Sequence, residues 1–532
     1  MRRPPVSNSI GATGRCALLL VSSLLVSALG CTNLDENPTS SITPGNFYRN
    51  ESEVLGGLAG VYAMVRNTLP GYGDFYNLTE ISTDEMVVPT RGQDWYDNGR
   101  WLEIHHQLWA ANSPSGLGDI NGVWVTGFGG IARANVLLDA LQHVSVPNQA
   151  TIVAETRALR AFFYYLLMDT FGGVPIVTTP DIAKRARNTR AEVFQFIEKE
   201  LQAARDSGLP ATWPAESNGR FTKGAADAIL ANMYLNAGVF TKDAGISTAG
   251  YNSCQGVQVS GGADACTAAI AAADRLLNSG VYQLADTFVK SFRADNDLSP
   301  ENIFVVKFLA QDGLGFRLLM TTLHYNQFTP SPWNGFATLA ETYNAFDAVD
   351  QRRKIFLIGP QVNLETGAPA LDRNKQPLVF TDTIKDVTQA TEGEGPRIYK
   401  WPYDPKHVGP DNGNDFAFFR LGEIYLIKAE AQNQLGQTPA ALTLVNALRA
   451  RDFNPPKPLD ITVSQDSARA LILSERLFEL TFEAKRRQDL IRYGRYTLAW
   501  GFKPAGSPNL VLMPIPQTQI DANPLLKQNP GY

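Results

Sequence analysis

The sequence has few residues suited to redox, metal or phosphate chemistry. Its 532 residues include only four cysteines and five histidines. It contains no Gly-Lys-Ser/Thr phosphate loop, no Gly-x-Ser-x-Gly nucleophile elbow and no His-Glu-x-x-His zinc motif. These absences exclude the common sequence signatures of P-loop nucleotidases, α/β-hydrolases and zinc metalloproteases.

Excess positive charge and long apolar runs are also lacking. The formal net charge is −5, which argues against non-specific binding to nucleic acid. After residue 30, no apolar stretch approaches the roughly 20 residues that cross a bilayer as a helix. We therefore expect a globular chain that only its N-terminus could attach to a membrane.

The N-terminus carries the pattern of an export signal. Arg2 and Arg3 precede an apolar run of about 13 residues, a length that suits a signal peptide. The run leads into Ala-Leu-Gly-Cys at residues 28–31, which resembles a bacterial lipoprotein signal whose cysteine is lipidated. An ordinary secretory signal with an incidental cysteine is the alternative. We predict a signal peptide over residues 1–30, lipidation of Cys31, and a flexible tether over residues 31–45.

Two cysteines remain in the body of the chain. Cys254 and Cys266 are separated by 11 residues in a stretch rich in glycine and serine. In an exported protein, such a pair is expected to form a disulfide that closes a surface loop. The Cys-x-x-Cys spacing of thioredoxin-like and zinc sites is absent.

Helical patterns dominate residues 46–280. The segment 153–171 is apolar on nearly all sides, as in a helix buried among other helices. Gly172 and Pro175 follow it and predict its end. Thr189 and Glu192 then form a capping-box pattern for the next helix.

The second half, residues 281–532, divides into three parts. Frequent glycine and proline and one strand-like run predict a lobe of loops and short strands over residues 281–415. Helical spacing returns over residues 416–500, and proline predicts an extended tail over residues 501–532. Within the helices, the turn at residues 435–439 resembles that of a tetratricopeptide repeat. The predicted fold class is mainly α: a tetratricopeptide-like helical scaffold carrying an irregular loop-rich lobe with a few short strands.

Three glutamates have the spacing of one helical face. Glu475, Glu479 and Glu483 lie at i, i+4 and i+8. Two of these carboxylates could act as the acid and nucleophile of a glycosidase. Alternatively, arginines from neighbouring helices neutralise them in a structural ion-pair network. Candidate partners are Arg157, Arg160, Arg449, Arg476 and Arg486. The sequence favours structural pairing, because the opposite side of the same helix is apolar and an acid–base pair needs an open cleft.

Metal-binding patterns are weak. His105 and His106 are adjacent, so their side chains point apart and form a poor chelate. The acidic triplet at residues 295–297 could hold calcium, but such triplets are more often turns. We predict no metal site and no cofactor.

Aromatic residues in polar loops are the best candidates for ligand binding. Trp95 and Tyr96 lie among polar residues between two glycines, and Trp333 lies in a loop rich in proline and glycine. Sugars stack their C–H faces on exposed rings while polar side chains bind their hydroxyls. The candidate ligand residues are Arg91, Asp94, Trp95, Tyr96, Asn98, Tyr325, Trp333 and Asn334. The alternative is that these rings fix their own loops or face a partner protein.

Several blocks, in order along the chain, resemble the SusD/RagB family of outer-membrane nutrient-uptake lipoproteins. They are RALRAFFY (157–164), FGGVPI (171–176), KGAA (223–226), YLNAG (234–238), EIYLIKAEA (423–431), NALRAR (446–451), the stretch 475–492, and the endings PIP (514–516) and NPGY (529–532). The resemblance covers essentially the whole mature chain. It implies a tetratricopeptide-like scaffold at the cell surface that caps a SusC-like TonB-dependent transporter and holds an oligosaccharide or peptide.

The sequence thus predicts a non-enzymatic lipoprotein of the outer membrane that captures an oligomeric nutrient, with glycan preferred over peptide. Its membrane contact is the lipid on Cys31, and its protein partner is the transporter. A surface glycoside hydrolase and an adhesin are the alternative functions. Labelled-polysaccharide turnover abolished by substitution of Glu479 would establish the hydrolase.

Overall fold

The computed structural model of the protein describes residues 47–69 and 73–532, apart from the side chain of Leu298. The predicted signal peptide, the lipidated Cys31 and the tether over residues 31–45 lie outside the described residues. Residues Tyr48–Tyr532 form one compact unit. The main hydrophobic core includes buried residues from both sides of the boundary placed at residue 280.

Helices form the framework of this unit. The α-helices are α1 (Glu51–Arg66), α2 (Asp74–Ile81), α3 (Arg100–His105), α4 (Asn121–Ala140), α5 (Gln149–Phe171), α6 (Arg190–Ser207), α7 (Lys223–Leu235), α8 (Ala237–Phe240), α9 (Ala265–Leu277), α10 (Leu318–Thr322), α11 (Ala340–Ala345), α12 (Leu421–Gln434), α13 (Thr438–Asp452), α14 (Gln465–Leu480), α15 (Arg486–Arg492) and α16 (Gln517–Ala522). None of the helices in the described part of the chain combines the length and apolarity that a membrane crossing requires.

Helix α5 lies at the centre of the first helical layer and packs against α4 and α6. It is buried on nearly all sides, as the sequence predicts. Glycines of α4 permit its close approach, because a Cβ on Gly130 would lie 2.3 Å from the ring of Phe163. Helix α6 begins with the predicted capping box, in which the side chains of Thr189 and Glu192 each accept from the other's backbone N–H.

The tetratricopeptide-like part consists of helices that pack in pairs. Helix α12 packs against α9, α13 and α14, and α9 packs against α7. Gly436, at φ 78°, forms part of the short turn between α12 and α13, and Pro439 lies in the first turn of α13, where its missing N–H costs nothing. The disulfide between Cys254 and Cys266 ties the loop before α9 to that helix, and both cysteines are fully buried.

Three two-stranded antiparallel sheets lie in the second half of the chain. They pair β1 (Asn302–Val306) with β6 (Phe416–Arg420), β2 (Phe356–Leu357) with β5 (Arg397–Ile398), and β3 (Gly359–Pro360) with β4 (Val379–Phe380). The prediction of helix from residue 416 is wrong for β6. This stretch is buried along its whole length and pairs with β1, and the helix begins only at Leu421.

The C-terminal tail contains more helix than the sequence predicts. It contains a 3-10 helix at Pro508–Val511 and the helix α16, so the expectation of an extended tail is wrong for these segments. A proline lies at the start of each, because Pro508 occupies the first turn of the 3-10 helix and Pro516 immediately precedes α16. Met513 and Ile515, between the two helices, are fully buried in the main core.

Candidate functional site

The three glutamates considered as catalytic acids are buried. The side chains of Glu475, Glu479 and Glu483 are at most 2% exposed. Helix α14 ends at Leu480, so Glu483 does not continue the helical face but lies in the turn that follows. The expected stack of three carboxylates on one helix is wrong in this respect, because the backbone of Thr481, at φ −47° and ψ 129°, has already left the helical conformation.

Cations from other segments surround these glutamates. The ion pairs are Glu475 with Arg352 (2.7 Å) and Arg449 (2.9 Å); Glu479 with Arg352 (2.8 Å), Arg420 (2.6 Å) and Arg451 (2.6 Å); and Glu483 with Arg420 (2.7 Å) and Lys400. We call these eight residues the buried ion-pair network. Burial alone would raise the pKa of Glu479, but the charges of Arg451, Arg420 and Arg352 hold it well below its usual value.

Two arginines predicted to join this network lie elsewhere. Arg157 and Arg160 of α5 both pair with Glu200 of α6, each at 2.7 Å. The grouping of Arg157 and Arg160 with Glu475 is therefore wrong, since a carboxylate on the helix adjacent to α5 takes both guanidinium groups. Of the other candidates, Arg449 belongs to the network, whereas Arg476 pairs with Asp489 and Arg486 pairs with Asp84.

The two aromatic loops come together, although they lie more than 200 residues apart in the sequence. The indole N–H of Trp95 donates to the backbone carbonyl of Trp333 at 2.7 Å. The hydroxyl of Tyr325 donates to the carboxylate of Asp94 at 2.6 Å. We call the surface formed by Trp95, Tyr96, Tyr325 and Trp333 the aromatic platform.

The four rings of the platform differ in exposure. Tyr96 is 58% exposed and Trp333 is 47% exposed, so both side chains are accessible to solvent. Trp95 is half-buried and makes edge-to-face contacts with Trp101 and Phe336, with ring centroids 5.4 and 5.5 Å apart. Trp95 thus fixes its own loop, while its neighbour Tyr96 projects outward.

Gly335 allows this arrangement, because Trp95 lies directly on it. A Cβ at residue 335 would approach the indole ring to 2.2 Å. We expect Gly335→Ala to displace Trp95 and to lower the affinity of the platform for its ligand by about tenfold, which costs about 1.4 kcal/mol of binding energy. Ligand titration combined with intrinsic tryptophan fluorescence measures both effects. The matched control is Gly118→Ala, at an exposed position outside the platform where φ is not positive and a Cβ meets no atom within 4 Å.

Polar groups border the platform. Asp94 accepts hydrogen bonds from Tyr325 and from the guanidinium of Arg373 (2.8 Å), and these bonds lower its pKa. Burial, together with the bond to Asp94, raises the pKa of Tyr325 to about 12. The guanidinium of Arg373 also lies over the Tyr325 ring, 4.1 Å from its centroid. The side chain of Arg373 therefore covers one face of the Tyr325 ring and is itself exposed to solvent.

Two predicted ligand residues have structural roles. Arg91 is buried, donates to the backbone carbonyls of Thr391 and Glu394, and has its pKa lowered to about 10 by burial. Asn334 is fully buried, and its side-chain oxygen accepts from Arg397 at 3.0 Å. The side chain of Asn334 is thus engaged within the protein. Arg91 also lines a neighbouring cavity, so its contact with the ligand stays a prediction.

Asn98 remains accessible. It is exposed at φ 56°, a left-handed conformation that asparagine tolerates better than most residues. A cavity of about 470 Å³ adjoins this region, and its lining includes Tyr325, Arg373 and Glu392. The site therefore combines two exposed rings, accessible polar side chains and a recess of the size of ordinary ligand pockets.

Two family models match the chain. The model described as "Starch-binding associating with outer membrane" matches residues 60–235, and the model of the SusD family matches residues 295–508. The chain belongs to the SusD family. Together the two models match most of the chain.

Similar proteins extend this finding. The starch-binding protein SusD of Bacteroides thetaiotaomicron is 26% identical, over 87% of this chain and 86% of that protein. A SusD-like protein of Bacteroides fragilis has a TM-score of 0.73 at 20% identity, covering 91% of this chain and 98% of that chain. Surface glycan-binding protein A of B. thetaiotaomicron, solved in complex with laminarihexaose, has a TM-score of 0.70 at 19% identity, covering 90% and 99%. These structural similarities show that the fold is shared.

In this SusD-family protein, His105 of the adjacent histidine pair has a structural role. His105 is buried, and both of its ring nitrogens lie within hydrogen-bond distance of backbone carbonyls, at Ile81, Met86 and Gly501. Burial lowers its pKa to about 4. The triplet at residues 295–297 enters a 3-10 turn, in which Asn296 bonds to backbone carbonyls. Within residues 47–69 and 73–532, no cluster of three or more His, Cys, Asp or Glu side chains could hold a metal ion.

Sequence reasoning missed Arg373 and its neighbours. The carboxylate of Glu392 accepts from the backbone N–H of Arg373 (3.0 Å) and pairs with His324 (2.9 Å), whose ring meets Tyr325 edge to face at 4.9 Å. Tyr325 thus lies between His324 and Arg373. No sequence motif marks Arg373, since it lies in a polar turn far from either aromatic loop.

Proposed function

We propose that this SusD-family protein is a lipid-anchored protein of the cell surface that captures an oligomeric glycan and delivers it to a TonB-dependent transporter. The observation that carries the proposal is the pair of exposed rings, Tyr96 and Trp333, which two distant loops bring to one surface. The names of similar proteins support a glycan as ligand, because one is described as starch-binding and another was solved with laminarihexaose.

The binding mechanism follows from the chemistry of these groups. The C–H face of a sugar ring stacks on the exposed faces of Tyr96 and Trp333, which buries apolar area without requiring charge. Hydroxyls of the same sugar bond to the side chains at the border, Asp94, Asn98 and Arg373. Asp94 stays ionised because its bonds to Tyr325 and Arg373 lower its pKa, so it is an acceptor for sugar hydroxyls.

We further propose that the protein binds its glycan without cleaving it. A glycosidase acid must hold a proton near neutral pH and reach the glycosidic oxygen. Glu479 meets neither condition, because its side chain is fully buried and the surrounding arginines keep it ionised. Association with the outer membrane is in keeping with the description of the N-terminal family model. The lipid on Cys31 and the transporter partner rest on the sequence resemblance.

Substitution of Trp333 tests the site. We expect Trp333→Ala to weaken glycan binding by about tenfold to a hundredfold, the loss expected for one stacking ring. Laminarin and starch are the first ligands to measure by isothermal titration, followed by a wider array of glycans and peptides. Phe502→Ala is the matched control, since Phe502 is 41% exposed but does not belong to the platform. Equal affinities for the parent, Trp333→Ala and Tyr96→Ala proteins would show that the platform is not the binding site.

A turnover assay distinguishes binding from hydrolysis. Incubation of the purified protein with labelled laminarin and starch is expected to leave the chain-length distribution unchanged. Release of short sugars by the parent protein, lost in a folded Glu479→Gln variant, would contradict the proposal. Co-purification with a TonB-dependent transporter tests the delivery step independently of ligand identity.

A further inference from the structure

A second cavity, of about 650 Å³, lies in the loop-rich lobe. Its walls come from residues 293–295, 307–310 and 402–406, together with Asp297 and Gly413. It shares no lining residue with the aromatic platform or with the cavity beside it. Its volume lies within the range of ordinary small-ligand pockets.

Three polar groups in its wall have no partner among residues 47–69 and 73–532. The hydroxyl of Tyr403, the ammonium of Lys406 and the carboxylate of Asp297 make no hydrogen bond or ion pair with any residue of the described chain. The Tyr403 ring is half-buried and is held by ring contacts with Phe328 (6.0 Å) and His407 (5.1 Å). The cavity thus presents a positioned aromatic ring, one free cation, one free anion and one free hydroxyl.

The cavity is lined by equal numbers of cationic and acidic side chains. Its lining holds three cationic and three acidic side chains. Arg293 pairs with Asp295 at 2.9 Å, and Lys307 pairs with the buried Asp415 behind the wall. Asp404 accepts backbone N–H groups of Lys406 and Gly413. A ligand of strong net charge gains little from such a lining, whereas a neutral ligand with many hydroxyls can use the free donors and acceptors.

One small apolar cluster underlies both this cavity and the platform. The cluster consists of Leu319, Met320, Leu323 and Phe328, and Tyr403 packs against it. On the platform side, the backbone N–H of Trp333 donates to the carbonyl of Met320 at 2.7 Å. Both sites therefore border this cluster, the cavity through Tyr403 and Phe328 and the platform through Trp333 and Met320.

We infer that this cavity is a second saccharide-binding site, which a glycan chain already bound on the platform also occupies. The inference rests on the proposed glycan-binding function and extends it from one contact to two. A polymer long enough to reach both sites gains from effective concentration, because its second contact is intramolecular. On this inference, a short oligosaccharide fills only one site at a time. Affinity should therefore rise with chain length more steeply in the parent than in a variant without the second site.

The experiment compares a polymer with its hexamer. Affinities for laminarin and laminarihexaose, and for amylose and maltohexaose, are measured by titration calorimetry for the parent, Tyr403→Ala, Lys406→Ala and Trp333→Ala proteins. We expect Tyr403→Ala to weaken polymer binding by about tenfold while hexamer binding changes by less than about twofold. Lys242→Ala is the matched control for Lys406→Ala, since Lys242 is exposed and does not line the cavity. Tyr403→Phe keeps the ring and removes only the hydroxyl.

Each outcome decides the inference. Unchanged polymer affinity in both Tyr403→Ala and Lys406→Ala would overturn it, as would an equal loss for polymer and hexamer. Suppose that either of those two results is obtained and that Trp333→Ala also loses affinity for both polymer and hexamer. The platform would then be the single site, and the proposed function would still hold. If Trp333→Ala changes neither affinity, or if the parent binds none of the four sugars, the proposed function and this inference both fail.

Discussion

Replacing Arg420 by methionine is expected to lower the free energy of unfolding by about 3–5 kcal/mol, the usual cost of removing one partner from a buried ion pair. Arg420 is fully buried at the end of β6, where α12 begins. Its guanidinium donates to the carboxylates of Glu301 (2.7 Å), Glu479 (2.6 Å) and Glu483 (2.7 and 2.8 Å). Methionine fills much of the same space but satisfies none of these acceptors.

The remaining cations do not compensate for this loss. Glu483 keeps Lys400, while Glu479 keeps Arg352 and Arg451, which also pair with other acids of the same region. With Glu301, Asp350 and Asp452 included, six buried carboxylates in this region share five cations, and loss of Arg420 leaves four. Each uncompensated charge costs several kcal/mol to keep out of water. Partial unfolding near the start of α12 or protonation of a glutamate is the expected response.

Urea unfolding followed by tryptophan fluorescence measures the effect. Arg185→Met is the matched control, because its ion pair with Asp181 is exposed at the surface and is expected to contribute less than about 1 kcal/mol. Glu483→Gln completes a double-mutant cycle with Arg420→Met, in which the two losses should not add. A decrease below about 1 kcal/mol for Arg420→Met would show that the network contributes little to stability.

The helical scaffold could be predicted from sequence because its signals are local. The burial of α5 follows from a continuous apolar run, and the start of α6 follows from a capping box that needs only Thr189 and Glu192. The strand β6 could not be recognised in this way. Its five residues continue directly into a helix, and only pairing with β1, more than 100 residues earlier, makes them a strand.

The same distinction holds for the ligand site. Composition identified Tyr96 and Trp333 as rings in polar loops, and both are exposed. Their meeting depends on a hydrogen bond between residues 95 and 333, which no local pattern contains. Asn334 looked equally suitable in sequence, but it is fully buried and bonds to Arg397. Exposure is a property of the folded chain. The sequence could therefore identify the loops, but it could not distinguish side chains that face the ligand from side chains that fix the loop.

A buried carboxyl pair makes the stability of the protein depend on pH. Glu80 and Glu85 are at most 1% exposed, and burial raises the pKa of Glu80 from 4.5 to about 7. Burial and the neighbouring Glu80 also raise the pKa of Glu85 well above its usual value. The two carboxyls accept backbone N–H groups of Ala484 and Phe482, residues of the turn after α14 that both have positive φ. The pair therefore holds the strained turn that contains Glu483.

Glu80→Gln is expected to make the protein more stable at alkaline pH. Between pH 4.5 and 7 the unfolded chain has released the Glu80 proton and the folded chain retains it, so stability falls as pH rises. At about 1.4 kcal/mol per pH unit, the loss reaches about 3 kcal/mol near pH 8. Glutamine imitates the protonated acid at every pH, which removes this loss.

Urea unfolding at several pH values between 5 and 8 measures the difference between the two proteins. The free energies of unfolding should diverge progressively as pH rises, with the variant higher. Glu216→Gln is the control, because it removes the same charge from an exposed 3-10 turn and should leave the slope unchanged. Parallel curves for the parent and Glu80→Gln would mean that Glu80 is ionised in the folded protein, with a cation close enough to offset its burial. Lys400 is the cation whose charge most lowers the pKa of Glu80. Since Lys400 also pairs with Glu483, such a result would join the carboxyl pair to the buried ion-pair network as one electrostatic unit around the turn after α14.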